Sequence, residues 1–143
     1  MSFISLHSHS HFSLLDSIAK PKDIAKRLVE LGQPAFALTD HGTTSGLLEM
    51  YHECQKNNLK MIFGCEHYWT YDATIKDGTY RHVVFLAKNF EGYQNLLKLT
   101  TEAHQNFYRK PRVDIDIIRK YSKGLKCGSA CLGGILRVFN EFT

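Results

Sequence analysis

A short polar stretch near the start of the chain carries residue types that are suited to metal chemistry. Residues 5–16 read SLHSHSHFSLLD, in which histidines alternate with serines and Asp16 follows. Side chains at positions i and i+2 of an extended segment point to the same face. His7 and His9 are therefore predicted to present two imidazoles to one metal ion or to a pair of ions. His11 joins them only if the strand continues.

Other candidate ligands follow predicted strands further along the chain. They are Asp16 after the first strand, His41 after the second, Glu66 after the third and Cys131 after the last. In α/β folds the functional site lies outside the carboxyl ends of the strands, so residues that are distant in sequence converge there. This placement predicts a shared metal site for His7, His9, His41 and Glu66.

The ligand types indicate which metals and which chemistry to expect. Imidazoles and carboxylates, with a thiol in addition, are typical of zinc, manganese or iron sites, and this many ligands suit two or three ions. Closely spaced metal ions activate a water molecule and hold a phosphate. The pattern therefore predicts a phosphoesterase site.

Several residues have ordinary structural interpretations. His52 and His104 lie on predicted helices, and His67 follows Glu66 and should point to the opposite face. By pattern alone His11 belongs with these structural histidines.

Two more residues stay ambiguous on pattern alone. For Cys131, pattern alone favours a small buried apolar residue over a ligand. His82 lies near the start of its predicted strand, which is the wrong end for the site.

The DHG sequence at 40–42 is by itself a common turn.

The hydrophobic pattern predicts alternating strands and helices. Strands are expected at 3–7, 35–42, 60–66 and 125–134, and helices at 21–32, 46–57, 91–105 and 114–124. Residues 67–71 and 81–87 flank a turn at 76–78 and are expected to form either a hairpin or two extended segments. This order predicts an α/β domain with mainly parallel strands. The final stretch ILRVFNEFT looks like the start of another helix. Four or five βα units do not close a barrel, so we expect an open sheet or part of a longer protein.

Composition places the chain among globular proteins. It has 143 residues, of which 43% are hydrophobic and 22% charged, so one domain over 1–143 is expected. No apolar stretch approaches the ~20 residues of a membrane span. Four cysteines without a C-x-x-C pair and without a secretory signal favour a reducing cytoplasm. The formal charge of +4 permits contact with phosphates without requiring it.

Six stretches in order along the chain resemble the PHP (polymerase and histidinol phosphatase) domain. They are HSHSHFSLLD (7–16), ALTDHG (37–42), FGCEHY (63–68), RHVVFLAKNFEGYQNLLKLT (81–100), FYRKPRVD (107–114) and GSACLGG (128–134). The fourth and fifth resemble in particular the branch found in bacterial replicative DNA polymerases. The resemblance implies a distorted (βα)7 barrel with a metal cluster at the strand ends, here partial and truncated after about four or five βα units.

The resemblance also implies a ligand set. Carried over residue by residue, the metal ligands are His7, His9, Asp16, His41, Glu66, His82 and Cys131. It thereby adds His82 and Cys131 to the residues that the pattern selects, and it leaves His11 out.

The chain departs from the family pattern at a few positions. Ser17 stands where the family usually has glycine, Lys126 and Cys127 interrupt an otherwise apolar strand, and Ile135 replaces a common acidic residue. A final Asp-x-His ligand pair has no counterpart, and neither have the polymerase palm, thumb and fingers. We therefore expect no polymerisation and at most weak hydrolysis by this chain alone.

Three functions remain open at this point. The first is the PHP module of a replicative polymerase, acting in 3′–5′ hydrolysis of single-stranded DNA ends or supporting other polymerase domains or subunits. The second is a stand-alone phosphoesterase of the histidinol phosphatase type, and the third is a non-catalytic module whose metals hold the fold. Because an incomplete barrel exposes strand edges, we also expect self-association.

A basic and aromatic patch is the predicted nucleic-acid contact. In NFYRKPRVD, Phe107 and Tyr108 are followed by Arg109, Lys110 and Arg112. Aromatic rings stack on bases while cations meet phosphates. The alternative is a solvated loop before a helix.

Overall fold

The structure is a computed structural model, which describes residues 3–136 of the chain. The strands are β1 (Ala35–Leu38), β2 (Lys60–Trp69), β3 (Arg81–Ala87), β4 (Arg112–Val113) and β5 (Leu125–Gly128). The helices are α1 (Pro21–Glu30), α2 (Leu47–Lys56), α3 (Phe90–Gln105) and α4 (Ile115–Tyr121). The predicted α/β class and the predicted helices are confirmed. Residues 137–143 of the expected last helix lie outside the described residues.

The sheet is built around the long strand β2. β1 pairs in parallel with its first half, β4 pairs in parallel with its last residues, and β3 lies antiparallel along it and carries β5, also antiparallel. The sheet is open, as expected. The prediction of mainly parallel strands is wrong, because a loop at 70–80 rather than a helix connects β2 to β3, and such a connection returns the chain antiparallel.

The predicted first strand is reduced to a single bridge. Ser5 forms an isolated parallel bridge with Phe36 of β1, and its carbonyl accepts a hydrogen bond from the Ala37 amide over 2.9 Å. Further along, the Ser8 amide donates to the Thr39 hydroxyl over 2.9 Å. The segment therefore runs beside β1 and is held partly by side chains.

The helices begin where local chemistry supports them. Pro21 opens α1. The Asn89 side chain accepts a hydrogen bond from the Gly92 amide at the start of α3, and the Asp114 side chain caps α4 in the same way. The helices bury their apolar faces on the sheet in a core that includes Leu38, Met50, Val83, Leu96 and Leu99.

Among residues 3–136, no helix is long and apolar enough to cross a membrane.

Candidate metal centre

The ends of β1 and β2 bring the central pair of site residues together. β1 leads into Asp40, His41 and Gly42, and His41 forms a parallel bridge with Glu66. The Gly42 amide donates to the Glu66 carbonyl over 2.7 Å, and the Glu66 amide donates to the Asp40 carbonyl over 3.1 Å. Because the backbone is fixed in this way, His41 Nδ1 lies 3.5 Å from Glu66 Oε2.

Glu66 lies at the centre of the cluster. Its side chain is fully buried, and three further imidazoles approach its carboxylate. His7 Nε2 lies at 2.7 Å, His82 Nδ1 at 3.0 Å and His9 Nε2 at 3.1 Å. One carboxylate is thus surrounded by ring nitrogens from the start of the chain, from the end of β1 and from β3.

Asp16 lies on the solvent side of the cluster. Its Oδ2 lies 3.5 Å from His41 Nε2 and 3.9 Å from His9 Nε2. The rings of His9 and His41 stack with centroids 4.3 Å apart. His41 therefore has one nitrogen toward Glu66 and the other toward Asp16.

The ligand atoms fall into three overlapping groups. These are His7, His9 and Glu66, then His9, Asp16 and His41, and then His41, Glu66 and His82, with the atoms of each group within 4.8 Å of one another. Because the groups share members, the cluster is continuous.

His82 reaches the site because β3 runs antiparallel to β2. The register pairs Tyr68 with His82, so the start of β3 lies beside the carboxyl end of β2. The argument from pattern that placed His82 at the wrong end is therefore wrong. Cys131 lies next to it, with Sγ 3.3 Å from His82 Nδ1, and is exposed at the edge of the cluster.

Burial and neighbouring groups shift the pKa values of several residues in the cluster. Burial raises the pKa of Glu66, but hydrogen bonds from His7, His82 and His9 outweigh burial and hold that pKa well below its usual range. Burial lowers the pKa of His9, but Glu66 more than compensates, so the pKa is raised. The pKa of His41 stays below its usual value because burial prevails. The carboxylate is ionised and His41 favours its neutral, metal-binding form.

Asp40 supports the cluster, a role that the sequence analysis missed. Its buried carboxylate accepts hydrogen bonds from the Ser10 amide over 2.6 Å, the Ser10 hydroxyl over 2.7 Å and the Ser13 hydroxyl over 2.8 Å. Ser13 Oγ also accepts a hydrogen bond from the His41 amide over 3.0 Å. The alternating serines were the available signal, since buried hydroxyls need partners.

The other histidines take separate positions. His67 is fully buried on the opposite face of β2, where its Nε2 lies 3.1 Å from the Thr100 hydroxyl. His52 is exposed on α2. His104 is closer to the site than its helical position suggested, because its Nε2–H donates to the Gly42 carbonyl over 2.8 Å. His11 lies beside Phe12, outside the three groups.

The basic patch is divided between surface and interior. Arg109 and Lys110 line a cavity that also includes His41. Arg112 is only 2% exposed and donates to the carbonyls of Ile75 and Ala73 over 2.6 and 2.8 Å. The predicted nucleic-acid contact through Arg112 is therefore contradicted, since its guanidinium holds a loop inside the protein.

Gly42 allows the basic patch to lie close to the cluster. It has a φ of 61°, and a Cβ there would lie 2.6 Å from Pro111 Cγ. Only glycine permits this approach.

The residues present fit metal ions. His41 Nδ1 is a buried nitrogen without a hydrogen-bond partner in the described part of the chain. Buried polar atoms normally have partners. Imidazole nitrogens and carboxylate oxygens that face a common centre are the donor set of zinc and related ions.

The fold is an open α/β sheet with a cluster of candidate metal ligands at its strand ends. The family model of the PHP domain matches residues 5–140. The chain belongs to the PHP domain family. Its curated relatives are DNA polymerase III alpha subunits: 43% identical over 141 residues in Borreliella burgdorferi, 41% over 141 in Chlamydia trachomatis and 40% over 149 in Thermus aquaticus. These alignments cover 94 to 97% of this chain but only 11 to 12% of each relative.

Two solved structures share the fold at low identity. An amidohydrolase from Chromobacterium violaceum, with bound sulfate and no metal, gives a TM-score of 0.55 at 24% identity and covers 71% of this chain and 33% of its own. A candidate metal-dependent phosphoesterase from Bifidobacterium adolescentis gives 0.54 at 18%, covering 73% and 34%. The predicted PHP-type fold is confirmed.

Proposed function

We propose that this chain is the metal-dependent phosphoesterase module of a replicative DNA polymerase of the DNA polymerase III alpha type, and that it hydrolyses phosphodiesters at the ends of single-stranded DNA. The observation that carries the proposal is the buried Glu66 carboxylate with imidazole nitrogens of four histidines within 3.5 Å. The homology to polymerase alpha subunits supports the DNA substrate and the other polymerase domains as partners.

The proposed ligands are the seven residues that the family resemblance implies. His7, His9, His41, Glu66 and His82 form the inner cluster, Asp16 closes it toward solvent, and Cys131 lies at its edge beside His82. Two or three zinc, manganese or iron ions are proposed. Bound divalent ions supply positive charge to the phosphate and lower the pKa of water.

The chain itself fixes the donor atoms and opens them to a substrate. Glu66 is buried, whereas the Asp16 side chain is 49% exposed, so a phosphate approaches from the Asp16 side. In the proposed hydrolysis, the oxygen of a water molecule bonds to phosphorus as the bond from phosphorus to the leaving oxygen breaks, and the proton that the water gives up is passed to that leaving oxygen. Asp16 Oδ2, 3.5 Å from His41 Nε2, is placed to orient the entering water.

The test combines metal content with hydrolysis. Untagged protein is analysed for bound metals, and its melting temperature is measured with added Zn²⁺ or Mn²⁺, which should raise it. Cleavage of bis(p-nitrophenyl) phosphate and of single-stranded DNA ends should require metal and vanish in His41→Ala. The exposed His52→Ala is the matched control.

Other outcomes point to the alternative functions. Robust turnover of histidinol phosphate without cleavage of DNA would indicate a small-molecule phosphatase. A full metal complement with no hydrolysis of any substrate would indicate a structural metal site.

A further inference from the structure

A cavity of about 620 Å³ opens directly beside the metal cluster. It shares His41 with the cluster, and its walls come from the segment after His9, the loop after β1 and residues 107–111. Cavities of this size are typical of small-ligand sites. A ligand held there would therefore lie next to His41 and the metal cluster.

Two cations lie at this cavity without opposing carboxylates. In the part of the chain that the structure describes, neither Arg109 nor Lys110 forms an ion pair with an acidic side chain. Lys110 Nζ lies 5.1 Å from the centre of the Tyr68 ring, which itself lies 5.8 Å from His41. Arg109 adopts a φ of 61°, which is uncommon for a residue other than glycine and often marks a ligand site. This charge favours an anion next to the cluster.

The same cavity has aromatic walls. Phe107 is 57% exposed at the cavity, and Phe12 lines it together with His11. An exposed aromatic ring in the wall of a cavity is suited to stacking on a planar group such as a nucleobase.

We propose that this cavity binds the nucleotide adjacent to the scissile phosphate of a single-stranded nucleic acid. The base stacks on Phe107 and Phe12, and Lys110 and Arg109 contact the neighbouring phosphate. The inference rests on the proposed function for the position of the scissile phosphate. The cavity would select nucleic acid over small phosphate esters, which lack a second nucleotide.

Binding is tested without turnover. Fluorescence anisotropy with a labelled single-stranded oligodeoxynucleotide is recorded in EDTA, and again with Mn²⁺ and a phosphorothioate oligonucleotide. Phe107→Ala should raise Kd by roughly 5- to 100-fold. Lys110→Ala should also raise Kd and should lower the slope of log Kd against log salt by about 0.7.

Matched controls separate this site from general charge and aromatic effects. Lys26→Ala on α1 and Phe90→Ala on α3 remove an exposed cation and a 71% exposed ring elsewhere, and should leave Kd within about twofold of the wild type. No saturable binding under either condition, or equal losses in the controls, would overturn the inference. Specific binding without hydrolysis would support it while contradicting the proposed function. Hydrolysis by the wild type together with an unchanged Kd in both Phe107→Ala and Lys110→Ala would overturn the inference while supporting the proposed function.

Discussion

His41, in the loop after β1, is joined to Glu66 of β2 by an isolated parallel backbone bridge, and Nδ1 of His41 lies 3.5 Å from Oε2 of Glu66. The loop after β1 is thereby held against the end of β2, so the positions of the two ligand atoms are set by sheet hydrogen bonds rather than by loop conformation. Sites supported by regular structure hold their geometry more precisely than loop sites.

Replacing Glu66 with glutamine should remove the shared centre of the metal cluster. Residues that merely support metal ligands contribute roughly 10- to 100-fold to affinity, so loss of Glu66 should exceed that range. Isothermal titration with Zn²⁺ measures the effect, and Glu49→Gln on the exposed face of α2 is the control. Wild-type Zn²⁺ affinity in Glu66→Gln would show that this carboxylate binds no metal.

Asp40→Asn should destabilise the fold near the site. An amide accepts hydrogen bonds less strongly than a carboxylate and brings two donors that this pocket does not match, so a loss of about 1–3 kcal/mol is expected. Urea unfolding measures it, with the exposed Asp77→Asn for comparison. A stability equal to that of the wild type would mean that the Ser10 and Ser13 contacts contribute nothing.

His67 should make stability fall with acidification. Burial lowers its pKa from 6.5 to about 4, so below pH 6.5 the unfolded chain binds the proton more readily than the folded one. The stability from neutral His67 is full above pH 6.5 and is lost progressively down to about pH 4, by about 3 kcal/mol.

The variant His67→Gln isolates this contribution. Urea unfolding between pH 7 and pH 4 should show a smaller loss in His67→Gln than in the wild type. His52→Gln, which alters an exposed imidazole, should retain the wild-type slope. Identical slopes for all three proteins would contradict a buried neutral His67.

Arg112→Lys should cost stability rather than nucleic-acid affinity. Lysine cannot donate from two planar nitrogens to the Ile75 and Ala73 carbonyls at once, so the loss is expected to be about 1–3 kcal/mol. Arg119→Lys, on the exposed face of α4, is the control. Oligonucleotide binding by the folded Arg112→Lys protein should match the wild type, and a selective loss of binding would return Arg112 to the nucleic-acid contact.

The isolated chain should self-associate at high concentration. Leu14, Leu15, Ile18 and Leu132 are 84 to 110% exposed, and Leu14 lies at the cavity beside the metal cluster. Exposed apolar side chains in such number favour burial against another surface. Light scattering should show a mass that rises with concentration, and polar replacement of Leu15 and Ile18 should reduce it. A strict monomer at high concentration would contradict this prediction.

The sequence by itself determined the helices, the α/β class and much of the candidate cluster. Local patterns were sufficient for these features, since helix periodicity and strand-end placement depend on neighbours in the chain. His7, His9, His41 and Glu66 could be selected together because parallel strands end at one edge.

Only the tertiary structure decided which way β3 runs and which polar groups are buried. Strand direction depends on the connection and on pairing with a distant partner, so His82 was misplaced by pattern and reached the site through its register with Tyr68. Arg112 and Asp40 carry charges that pattern assigns to surface or turn, yet each is buried where distant groups complete its hydrogen bonds. Such long-range pairing is not encoded in any short window of sequence, because the partners meet only after the sheet has formed.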